Sequence, residues 1–365
     1  MVDWNLAVAT ATRLVRPGPE VSRDEARAVV AELRRHAKAS EQHVRGFTRM
    51  GTDDIHDTPI LVVDRPGWVR ANVAGFREVL KPLLDKMQER RGNTPGGAVF
   101  GAVGGKVTGV ELGMLLSFLS SRVLGQYETF APASRELPAG AKGGRLLLVA
   151  PNIVHVEREL DVEPHDFRLW VCLHEETHRT QFTAVPWLRD HLEGEIQSFL
   201  GETEVDPMTV LERIREAAQS LAGGRPEGEE DDEGRSLVEI VQTPAQREIL
   251  ARLTAVMSLL EGHADFVMDG VGPDVVPSVA EIREKFQQRR AKGASRLDSA
   301  LRKLLGLDAK LRQYRDGERF VRAVVEQVGM DGFNRVWTSP NTLPTKTEIA
   351  KPADWVARVH RKAES

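Results

Sequence analysis

Residues 174–178 read His174-Glu175-Glu176-Thr177-His178, and this H-E-x-x-H spacing constrains the chain more than any other feature. An α-helix advances about 100° per residue, so on a helix His174 and His178 lie about 40° apart on one face, one turn from each other. Their imidazole nitrogens can then reach one ion at the ~2.0–2.1 Å typical of zinc. Glu175 stands about 100° round from His174. It borders such an ion without needing to bind it, where a general base for a water belongs.

The surrounding residues favour a helix. Residues 167–184 contain no Pro or Gly, and Asp166 is the expected N-cap. Phe167, Val171 and Phe182 share the arc of the two histidines, while Arg168, Cys172, Glu176 and Arg179 fall on the opposite arc. The His pair therefore points towards apolar walls, where an unpaired charge is costly. A bound metal resolves that cost.

A catalytic zinc takes three protein ligands and leaves one position open. A third His six residues after the second is excluded, because Gln181 and Ala184 occupy the places of the H-x-x-G-x-x-H continuation. A Glu from a second helix is the remaining option, and Glu261 is the choice. It sits inside a long apolar helix, where an unpaired carboxylate is expensive. Asp265, one turn on, can accept a hydrogen bond from the far nitrogen of a ligand His and set its orientation. Gly262 would let the two helices approach closely. His263 is the alternative ligand, but about 200° of helix separates it from Glu261, so the two cannot both face the ion. Glu193, Glu195, Glu202 and Glu204 are competitors on a polar stretch. His263, His191, His155 and Tyr314 are candidates to stabilise an oxyanion, and Cys172 is expected to be a small buried residue.

Around this site the sequence predicts a mainly α chain, an α+β fold with a small sheet. Ser22 opens a capping pattern before a helix over 26–39. Ile60 to Asp64 reads as a strand, and Pro66 opens a helix to about Arg91. Glycines make 92–109 a loop; an apolar helix over 109–127, in the central core, follows. Arg145 to Ala150 is the strongest strand signal, and as the strand before the metal helix it is a candidate edge for an extended substrate. Residues 223–235 form an acidic linker. Thr243, Pro244 and Gln246 start a long helix that stops at Gly270. Helices over 280–305 and 317–328 and a short terminal helix complete the chain. The expected division is an N-terminal helical region (1–95), a core bearing the strand and the H-E-x-x-H helix (96–222), the acidic loop (223–236) and a C-terminal helical region (237–365) carrying the third ligand, all in one unit.

Composition narrows the function. The net charge is −4, with 41% apolar and 28% charged residues. That gives no reason to expect nucleic acid or an anionic membrane as partner. The single Cys172 excludes an internal disulfide framework and fits a reducing compartment. Residues 1–17 lack a signal-peptide pattern, and no apolar run reaches the ~20 residues that span a bilayer. A cytoplasmic location is expected.

H-E-x-x-H together with the distant E-x-x-A-D of residues 261–265 resembles the zincin metallopeptidases whose third ligand is Glu. The CAAX prenyl proteases share the second motif, but their membrane helices have no counterpart here. The whole chain is similar to a bacterial family of zincin-like metallopeptidases, type 2, also labelled as associated with deazaflavin coenzyme biosynthesis. Residues 63–72 (Val-Asp-Arg-Pro-Gly-Trp-Val-Arg-Ala-Asn), 147–152 (Leu-Leu-Val-Ala-Pro-Asn) and 328–334 (Val-Gly-Met-Asp-Gly-Phe-Asn) carry the resemblance alongside the two motifs. It implies a mainly helical zincin-like fold, Zn2+ on His174, His178 and Glu261, and Glu175 as base, but supplies no substrate. The leading expectation is hydrolysis of a peptide or related amide, with a peptide or protein substrate. The alternative is a non-catalytic zinc-binding or assembly module with the same fold.

Overall fold

A computed structural model describes residues 2–51, 58–91, 97–131, 144–202, 243–292 and 307–361, with the side chains of 83, 86–91, 97–107, 290–292, 307–315 and 361 excepted. The acidic segment 223–235 lies outside the described residues.

Helices dominate. In chain order they are α1 (Trp4–Leu14), α2 (Arg23–Thr48), α3 (Arg65–Arg91), α4 (Gly97–Ser120), α5 (Ala150–Leu160), α6 (Pro164–Ala184), α7 (Pro186–Gly201), α8 (Pro244–Gly270), α9 (Val279–Lys292), α10 (Leu307–Phe333), α11 (Lys346–Ala350) and α12 (Pro352–Arg361). Three strands, β1 (Ile60–Val63), β2 (Gly125–Glu128) and β3 (Arg145–Val149), form one sheet in the order β1-β3-β2. β1 is parallel to β3, with Leu61 opposite Leu147. β2 is antiparallel to β3, with Gly125 opposite Leu148.

The sheet separates two helical layers. Side chains alternate across a strand, so Leu148 joins the main core with α2, α6, α8 and α10, while Leu147 and Val149 join a smaller core under α1, α3 and α4. Covering both faces explains why β3 reads as an unbroken apolar run. It also corrects an expectation: β3 is the central strand, its two edges taken by β1 and β2, so it offers no free edge to a substrate. Among the described residues, β2 pairs with β3 alone.

Two further expectations change. The Gly-rich stretch is helical from Gly97, and α4 ends at Ser120 rather than running to Tyr127, which lies in β2. Gly109 and Gly113 serve packing. A Cβ on Gly109 would stand 2.7 Å from Asp3 O, and one on Gly113 2.7 Å from Ala7 O, so α1 lies directly against α4. Leu116 belongs to the smaller core, so α4 flanks the sheet instead of filling the centre of the molecule.

A buried polar seam ties the layers. Arg65 Nε donates to Asn152 Oδ1 (2.6 Å) and its Nη1 to the carbonyls of Arg16 and Pro17. Asn152 Nδ2 donates in turn to Ser120 O and Val123 O. Trp68 Nε1 donates to Gln126 Oε1, and Gln126 Nε2 to Asn72 Oδ1. These buried donors and acceptors satisfy one another and fix β1 and β2 against the start of α3. Two of the sequence segments singled out above supply them.

Candidate metal centre

The metal helix is α6. Pro164 occupies its first turn behind an extended Glu163, so Asp166 is not the N-cap. Asp166 instead lies within the first turn and accepts from Ser278 N (2.8 Å) and Oγ (2.7 Å), pinning α6 to the start of α9. α8 begins as its sequence predicts. Thr243 accepts from Gln246 N, and the Gln246 side chain accepts from Thr243 N.

The two helices meet at three donor groups. His174 Nε2 lies 3.2 Å from His178 Nε2. Glu261 Oε2 is 3.6 Å from His174 Nε2, and Glu261 Oε1 is 3.8 Å from His178 Nε2. Ligands about 2.0–2.1 Å from a shared tetrahedral ion stand roughly 3.3 Å from one another, so this set fits such an ion. The two Nε2 atoms face one another across a gap that a cation would fill. His263, the alternative ligand, is not part of the cluster.

A polar group stands behind each imidazole. His174 Nδ1 lies 3.5 Å from Asp265 Oδ1. His178 Nδ1 donates to Gln181 Oε1 (3.0 Å), which leaves Nε2 to face the other ligands. Gln181 Nε2 donates to Leu260 O (2.9 Å) and to His263 Nδ1 (3.1 Å). The residue before Glu261 is thus bonded to the helix that carries the histidines. His263 is fully buried between the rings of Phe333 and Trp337. Burial, with the His178 charge adding to it, pushes it down to about 3, so it is a neutral acceptor for Gln181.

Electrostatics follow from the cluster. Burial alone would push His178 down, but the Glu261 carboxylate outweighs it and raises the imidazole to about 9. Burial would raise Glu261, but His178 and His174 hold it well below the usual carboxylate range. Glu175 is buried beside the pair, and burial raises its carboxyl above the ordinary value even though both imidazoles pull it back. Its side chain lies on β2: a Cβ on Gly125 would stand 2.5 Å from Glu175 Cγ and 2.7 Å from Oε1.

The opposite arc of α6 is also buried, against α2. Arg179 donates to both Glu176 oxygens (3.0 and 2.8 Å) and to Glu41 Oε2 (2.8 Å). Arg168 is held by Glu157 and Glu32. Cys172 is fully buried.

The other candidates stand elsewhere. Glu195 pairs with Arg252, and Glu193 and Glu202 are exposed. His155 is exposed near Glu159, and His191 packs edge-on against Trp187. Glu204 and the Tyr314 side chain lie outside the described residues. Two residues of the site escaped the sequence: Gln181 and Gly125. Gln181 is three residues beyond His178 on one helix face, a signal that was available. Gly125 had none, since it reaches Glu175 only through the sheet.

A family model described as zincin-like metallopeptidase matches residues 2–356. A solved structure from Chloroflexus aurantiacus, provisionally described as a hydrolase with a novel fold, is 30% identical to this chain. The match covers 99% of each chain, with a TM-score of 0.68. No curated protein matches. Among the described residues, no helix is long and apolar enough to cross a membrane.

Proposed function

Because the chain belongs to the zincin-like metallopeptidase family, we propose that it is a cytoplasmic zinc-dependent hydrolase that cleaves peptide bonds. One observation carries this function. Two imidazoles and one carboxylate converge at 3.2–3.8 Å with a second, buried carboxylate, Glu175, standing free of the ligand set beside them. A purely structural zinc site closes with four protein ligands and needs no base.

His174, His178 and Glu261 would hold the ion, a mixed nitrogen and oxygen set suited to zinc. Zinc held there would lower the pKa of a water to about 7 and polarise a substrate carbonyl. Glu175 takes the proton from the attacking water and passes it to the leaving nitrogen. Asp265 and Gln181 keep each imidazole turned with Nε2 inward. β2 is the strand beside Glu175, and its outer edge, unpaired among the described residues, offers an extended peptide a place to lie by strand addition.

Glu175→Gln tests the assignment. The variant should retain one zinc per chain by elemental analysis and lose turnover of a peptide library by at least 1000-fold. Cleavage at the wild-type rate would remove Glu175 from the mechanism. Wild-type protein that is fully loaded with zinc and cleaves no peptide would favour the non-catalytic module.

A further inference from the structure

A second group of donors stands at the N-terminal end of α6. Glu32 and His36 are one turn apart on α2, with Glu32 Oε1 3.3 Å from His36 Nε2. The ring of His165, from the first turn of α6, meets the ring of His36 edge-on, with centroids 4.6 Å apart. The three offer two nitrogens and one oxygen within 4.8 Å of one another.

The supports resemble those of the first centre. Glu32 Oε2 accepts from Arg168 Nη1, which orients the carboxylate and leaves Oε1 towards the histidines. The Arg168 charge is shared by Glu157, which accepts from its Nε (2.9 Å) and Nη2 (2.5 Å). His165 Nδ1 lies 3.3 Å from Asp166 Oδ1, and Asp166 is itself anchored by Ser278. A carboxylate behind one nitrogen of a histidine directs the other towards a metal. His36 is buried and His165 exposed, so one side of the group is fixed and the other is open to solvent.

We propose that Glu32, His36 and His165 form a second binding site for a divalent ion of the zinc class. His165 swings in to close the spread towards the roughly 3.3 Å that a shared ion requires. The ion clamps α2 to the first turn of α6. It is nine residues, or about 13 Å of helix, from His174, and it takes no part in hydrolysis.

Cobalt and zinc titration of the full chain tests this, with bound metal counted by elemental analysis after passage over a weak chelator. Wild type should take up two equivalents and the His165→Ala variant one, with the second site weakened at least tenfold. A His174→Ala/His178→Ala variant should keep one equivalent and lose it when His165→Ala is added. His165 is exposed, so its replacement leaves folding intact, and circular dichroism verifies this. Saturation of wild type at one equivalent that is lost in the His174→Ala/His178→Ala variant would overturn the proposal. So would a second equivalent that survives His165→Ala and His36→Ala together.

Discussion

The Glu175 side chain rests on Gly125, with 2.5 Å between its Cγ and the place a Cβ would occupy. The carboxylate beside the metal ligands therefore takes its position from a strand residue that has no side chain. Gly125→Ala should displace Glu175 by about an ångström and lower turnover about 100-fold. Zinc content should not change, because His174, His178 and Glu261 are untouched. The added Cβ overpacks a buried site and should also cost some stability, so a loss of turnover in protein that is still folded and zinc-loaded at the assay temperature isolates the displacement. Unchanged turnover would mean that Glu175 does not act from this position.

Gln181 joins His178 to α8 through Leu260 O and His263. Gln181→Leu removes the acceptor that sets the His178 ring and should weaken zinc binding 10–100-fold, measured by chelator competition. Gln181→Glu restores an acceptor for His178 and should recover most of that affinity. Equal affinity in the Leu variant and wild type would make Gln181 a bystander.

Gly262 faces α10 and not α6, contrary to the role its place beside Glu261 suggests. A Cβ there would fall on the backbone of Gly317 and Glu318, and a Cβ on Gly317 would fall on Ser258 O. The two helices cross backbone to backbone. Gly262→Ala should cost about 3 kcal/mol or more in denaturant unfolding, the upper range for overpacking, and should also weaken zinc binding because Glu261 is the adjacent residue. A variant as stable as wild type would show that the crossing relaxes freely.

Glu348 caps α11 at Thr345 N (2.8 Å) and accepts from Arg358 Nε (2.6 Å) and Nη2 (2.9 Å). Burial would raise its carboxyl, but Arg358 and the cap outweigh burial and lower it. A lowered carboxylate adds stability above its unfolded value near 4.3, and that stability is lost as pH falls through the depressed folded value. Glu348→Gln should therefore cost about 2 kcal/mol at pH 7, and the gap to wild type should narrow as pH falls below about 4.3. A gap that stays constant from pH 7 to pH 3 would deny the charge any part.

Much of the site was legible because it is local. The spacing of His174 and His178, the flanking Glu175 and the turn from Glu261 to Asp265 are features of single helices, and helical periodicity writes them directly into the order of residues. The start of α8 was equally plain, since Thr243, Pro244 and Gln246 each supply a known cap contact. β2 was not legible. Gly125-Gln126-Tyr127-Glu128 has no alternating pattern of its own and becomes a strand by pairing with β3 some twenty residues on. The Gly-rich start of α4 misled for a similar reason. Its glycines suggest turns, but Gly109 and Gly113 are there to admit α1.

From the sequence alone came the candidate histidine pair, the flanking Glu175, the mainly helical class and the choice of Glu261, because each depends on residues within a turn or two of one another, on motif context or on the cost of burying a charge. The tertiary structure alone decided that β3 is central, with β2 paired to it alone among the described residues, that Gly262 serves α10, and that Gln181 bridges the helices carrying the histidine pair and Glu261. Those outcomes depend on contacts between residues far apart in the chain, where steric fit and hydrogen-bond pairing choose among arrangements that local pattern leaves equal.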